Sequence, residues 1–100
     1  MLALDDVRQF FDSVIVGEDA VLQRIERGPE NVWIEGQQFV FSIAALLALL
    51  EPEGGTSLKV FKNLLYSSKL NRELGALGAE IIVYQNTGKV DSNLYCLKTT

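Results

Sequence analysis

Hydrophobic residues recur along this chain at spacings that change with position. Leu4, Val7, Phe11 and Val14 follow a helical period, and Phe10 and Ile15 widen the stripe. Asp5 or Asp6 suits the start, Asp6 with Gln9 fits a capping box, and Gly17 is a stop, so a first helix is expected over roughly 5–15. Val21, Gln23 and Ile25 alternate imperfectly, which favours a strand over 21–27. Gly28-Pro29-Glu30-Asn31 is turn chemistry. From Asn31 to Phe41 the pattern is that of a hairpin: Val32-Trp33-Ile34, a bend at Gly36, then Phe39-Val40-Phe41.

Ser42 is a good N-cap for Ile43–Leu50, a segment apolar all round and therefore expected to be a core helix with no wet face. Pro52 ends it, because the residue before a proline is pushed out of the helical region. After Glu53-Gly54-Gly55, Thr56 or Ser57 caps a helix whose buried stripe is Leu58, Phe61 and Leu65, joined by Leu64. Tyr66-Ser67-Ser68 is a short turn. Ser67 or Ser68 then caps a third helix buried through Leu70, Leu74 and Leu77 and ended by Gly78. Gly75 inside it costs roughly 1 kcal/mol against alanine. Ile81–Tyr84 and Leu94–Leu97 pair across a loop holding Thr87-Gly88. Leu46, Leu47, Leu50, Phe61, Leu65, Leu70, Leu74 and Ile82 are expected to share one core.

Charge divides the chain. Residues 57–100 carry six basic against three acidic groups, a net of +3, whereas residues 1–56 carry three against ten, a net of −7. An acidic protein is normally argued away from nucleic acid. A basic face confined to a helix-turn-helix and its hairpin keeps that option open. The length of 100 residues suits one domain spanning 1–100, with 1–17 an added helix and 18–98 the core. The single Cys96 excludes an internal disulfide and fits a reducing compartment. No basic segment precedes an apolar core at the N-terminus, and the longest apolar run, Phe39–Leu50, is shorter than the roughly 20 residues a span needs. A cytoplasmic protein without membrane contact is the expectation.

The order of strands, core helix, helix, turn, helix and hairpin resembles a winged helix-turn-helix domain, and within that group the output domains of bacterial response regulators. The passage from Glu35 through the Ser42 cap into Ile43-Ala44-Ala45-Leu46-Leu47-Ala48-Leu49-Leu50 carries the likeness, as does the closing Leu94-Tyr95-Cys96-Leu97. It covers about residues 20–98. The resemblance implies an α+β, winged-helix-like fold: a small antiparallel sheet, a three-helix core and a C-terminal hairpin wing. It also implies double-stranded DNA as partner, read by the third helix.

The candidate DNA-binding residues are Lys59, Lys62, Ser68, Lys69, Asn71, Arg72 and Lys89. Arg72 suits guanine, Asn71 suits adenine, and Lys89 on the wing suits a flanking phosphate. Lysines on amphipathic helices are also the ordinary solvated face. Leu4, Phe10, Phe11 and Ile15 give the first helix more apolar surface than one stripe needs, which marks them as a candidate homodimer interface. Trp33 is read as a core or sheet-face residue, and Cys96 as an inert buried thiol.

Enzymatic chemistry is poorly served. The chain has no histidine and one cysteine, and Gly54-Gly55 lacks a following Gly-Lys-Ser/Thr. No cofactor or metal is expected. The leading function is a small non-enzymatic DNA-binding regulator. The alternative is a protein–protein interaction module with the same fold and an acidic face.

Overall fold

The computed structural model describes residues 2–88 and 93–99. Its element order is α1 (Leu4–Val16), α2 (Asp19–Glu26), β1 (Val32–Glu35), β2 (Gln38–Ser42), α3 (Ile43–Leu50), α4 (Leu58–Leu65), α5 (Ser68–Ala76), β3 (Ala79–Gln85) and β4 (Leu94–Thr99). The fold is α+β, with five helices and one four-stranded sheet among the described residues. The sheet order is β1-β2-β4-β3 and each neighbouring pair is antiparallel.

The segment expected as a strand over 21–27 is instead helix α2. Its apolar residues serve both periods: Ile25 is buried and Val21 and Leu22 are half-buried, so the helix needs only a narrow seam against β1 and α1. Arg24 gives α2 a further anchor, since its guanidinium donates to the carbonyls of Leu49 and Leu50. Those are end carbonyls of α3, which have no partner within their own helix.

The cap serines act largely as the sequence implies. Ser42 Oγ accepts from the Ala45 N–H at 3.2 Å, and Ser57 Oγ accepts from Val60 N–H at 3.2 Å. Ser67 precedes α5, but its side chain makes no cap bond. At α1 the N-cap is Ala3, and Asp6 reaches back to accept from the Ala3 N–H at 2.8 Å. Gly17 ends α1 with φ 82°, a backbone state that favours glycine.

The helices cover one face of the sheet. Strand alternation puts Phe39, Phe41, Tyr95 and Leu97 on that inner face, where they meet Phe10, Phe11, Leu46, Phe61, Leu70 and Leu74. The rings of Phe10, Phe11, Phe39, Phe41 and Tyr95 form a continuous run, with neighbouring centroids 5.3 to 6.5 Å apart.

Three expectations about the core change. Ile82 is 36% exposed, because its register opposite Cys96 turns it to the outer face; Ile81, opposite Leu97, packs inward in its place. Leu77 is 43% exposed, since α5 ends at Ala76 and the chain turns before Leu77 completes the seam. Helix α3 does have a wet side. Ala44 and Ala48 are exposed, and Leu47 and Leu50 only half-buried.

Candidate nucleic-acid interface

The α4–α5 pair positions the described basic candidates. In α5, Leu70 and Leu74 form the buried seam, and helical spacing then places Arg72 almost opposite them. Ser68 and Lys69 flank Arg72, and all three are exposed. In α4 the seam is Phe61 and Leu65. Lys59 is exposed, while Lys62, nearer the seam, is half-buried.

Two other residues of α5 have definite partners. Glu73 is turned toward α1, where its carboxylate lies 3.3 Å from Arg8 Nε; the same nitrogen is 3.5 Å from Asp5. The acid in the middle of α5 is thus matched by a cation from another helix. Asn71 donates its amide hydrogens to the carbonyls of Leu65 at 3.2 Å and Ser67 at 2.9 Å. The side chain expected to read adenine therefore ties the α4–α5 turn together, and in this conformation its donors are spent. Lys89 lies outside the described residues.

The first helix does not carry the surface expected of it. Phe11 is fully buried and Phe10 is 7% exposed, both within this one chain. Leu4 and Ile15 are half-buried and pack against the same core. Much of the apolar surface of α1 is taken up by α5, α2 and the aromatic run, which leaves Phe10 and Phe11 almost no surface for a second copy. The apolar excess was legible in the sequence; the two-sided packing that absorbs it was not.

Two open clefts lie away from α5's exposed face. One of about 550 Å³ is bordered by Arg24, Arg27, Pro29 and Pro52, but the Arg24 guanidinium is committed to α3's carbonyls. The other, about 530 Å³, runs between Ile15, the β1–β2 turn and Leu77, and no charged side chain lines it. No helix among the described residues is long and apolar enough to cross a membrane.

An arrangement that the sequence did not disclose lies on the outer sheet face. Trp33 on β1 and Tyr84 on β3 belong to opposite edge strands, yet their rings meet at 6.0 Å with an interplanar angle of 87°. Tyr84 Oη donates to Glu35 Oε2 at 2.6 Å, and Trp33 Nε1 approaches the same oxygen at 3.5 Å. The hydrogen bond to Glu35, with smaller contributions from burial and the nearby carboxylate and thiol, raises the Tyr84 phenol above its ordinary pKa of 10.0. Burial likewise raises the Cys96 thiol. On β1 Val32 is buried, and Trp33 and Glu35 alternate onto the outer face. Only strand order brings Tyr84 to them.

Comparison with family models, with curated proteins and with solved structures yields no match.

Proposed function

We propose that this chain is a small, non-enzymatic, winged-helix-like DNA-binding protein that uses α5 and the β3–β4 hairpin against double-stranded DNA. The observation that carries this reading is the outward face of α5: Ser68, Lys69 and Arg72 stand together opposite the Leu70/Leu74 seam, while Glu73 turns aside to Arg8. A helix presenting two cations and a hydroxyl is suited to phosphates and base edges in a major groove. The hairpin follows α5 directly, and its second strand pairs with β2, an arrangement compatible with a wing. Lys59 on α4 adds an exposed cation at the flank.

Titration against pooled duplexes at low salt tests this. Affinity should fall steeply with salt, with a log–log slope near −0.9 per phosphate neutralised. The combined change of Lys69, Arg72 and Lys89 to alanine should abolish binding. Binding indifferent to that change, or no binding, would transfer the proposal to a protein-interaction module. One observation favours that second reading: Ile82, Val83 and Tyr84 are consecutive, exposed and on an edge strand.

A further inference from the structure

The sheet face turned away from the helices holds a second, smaller cluster. Register places Trp33, Val40, Cys96 and Ile82 in one row across it, with Glu35, Gln38, Lys98 and Glu80 in the next. No helix lies over Val40 and Cys96, yet they are 0% and 1% exposed. Their cover is side chains: Tyr84 reaches from the β3 edge to Glu35 on the β1 edge and meets Trp33 on the way.

The result is a corner with two aromatic walls nearly at right angles and a carboxylate at its edge. Both ring systems present a negative π-face. Glu35 is exposed, its two contacts come from neutral donors, and among the described residues it is in no ion pair. Lys98 stands two strands further in, between Gln38 and Glu80 in the same row. The corner therefore offers a carboxylate and partly exposed aromatic surface to solvent, and the exposed Ile82 on the same sheet face can receive an apolar stem.

We propose that the corner formed by Trp33, Tyr84 and Glu35 is a docking site for a lysine or arginine side chain on a basic segment of a partner protein. The charge is complementary, the rings supply cation–π contact, and the apolar rim suits the methylene stem of either side chain. Phosphate-bearing partners are disfavoured here by Glu35. The site is on the opposite side of the sheet from the helical layer that includes α5, and it shares only strand β3 with the proposed DNA interface.

Trp33 is the sole tryptophan, which makes its fluorescence a reporter located in the site. Titration of the whole chain at low salt with oligolysine and with oligoarginine should give a saturable change with at least one of them, and oligoglutamate should give none. Glu35→Gln should weaken the interaction at least about fivefold, in line with the loss of one charge contact near an aromatic cation site. Tyr84→Leu, which keeps apolar cover and removes the ring, should weaken it similarly, whereas Tyr84→Phe should stay within about threefold of the parent because the π-face remains. Circular dichroism of each variant verifies folding, and the Leu/Phe contrast at position 84 decides the matter if Glu35→Gln does not fold. Glu30→Gln, an exposed acid in the turn before β1, should have no effect. The proposal is overturned by the absence of a saturable change, by an equal loss in Glu30→Gln, or by Tyr84→Leu binding as well as Tyr84→Phe.

Discussion

Leu46 and Leu47 are neighbours of the same type with different surroundings. Leu46 is fully buried among the aromatic run, whereas Leu47 is half-buried. Leu46→Ala should cost about 2–5 kcal/mol, and Leu47→Ala distinctly less, in chemical denaturation. Asn71 also changes meaning once its partners are known. Replacing it with alanine removes the side-chain donor to the Leu65 carbonyl, whereas the Ser67 carbonyl keeps the Asn71 backbone N–H, so the loss should be about 1 kcal/mol of stability. Tyr84 supplies a pH test. Its pKa is raised in the folded state, chiefly by the hydrogen bond to Glu35, so the associated stabilisation is complete below the unfolded value near 10. It is lost as pH rises through the folded value. Phenolate absorbance should show Tyr84 ionising above its ordinary range, and Glu35→Gln should move it back toward that range.

At the scale of elements, the serines of the three caps are not equivalent. Ser42→Ala and Ser57→Ala should each cost about 0.5–2 kcal/mol, because each removes an acceptor from an N–H at a helix start. Ser67→Ala should cost less, since its hydroxyl makes no such bond. Gly75 lies inside α5 with ordinary φ, and a Cβ there would meet nothing within 4 Å. Gly75→Ala should therefore stabilise the chain by roughly 0.5–1 kcal/mol, visible as a higher melting temperature. These elements also mark where sequence patterns suffice. α1, α3, α4, α5 and both hairpins were legible because caps and breakers agreed with periodicity. Residues 19–26 were not: with one buried residue and two half-buried ones, the seam is too narrow to separate a helical period from alternation. The inward Ile81 and outward Ile82 were not legible either, since two adjacent isoleucines carry no parity until the partner strand is known.

For the molecule as a whole, the two halves are tied at Arg8, a cation of the acidic half, which bridges Asp5 on its own helix and Glu73 on α5. Its side chain is 32% exposed, and partly exposed pairs of this kind contribute little, so Arg8→Ala should change stability by less than about 1 kcal/mol. Its effect on the proposed DNA interface should be larger, because an unmatched Glu73 would then stand next to Arg72. Binding should weaken in Arg8→Ala and strengthen in Glu73→Gln, both measured on one duplex pool at fixed salt. The candidate basic residues on α5 were legible from the sequence. The screening of Glu73 by a residue sixty-five positions away was not, because it depends on α1 packing against α5.

The cover over Cys96 has a kinetic consequence. Its neighbours on the outer face are side chains anchored on strand edges, not a helix that must unfold to leave. A thiol reagent can reach the sulfur once side chains of this face, Tyr84 among them, move aside, so modification should run ahead of global unfolding. Its rate should rise in Tyr84→Ala and in Glu35→Gln, and it should increase with pH only toward alkaline values, because burial holds the thiol in its unreactive form. The lone cysteine thus acts as a clock for the opening of one sheet face while the other, packed beneath five helices, stays shut.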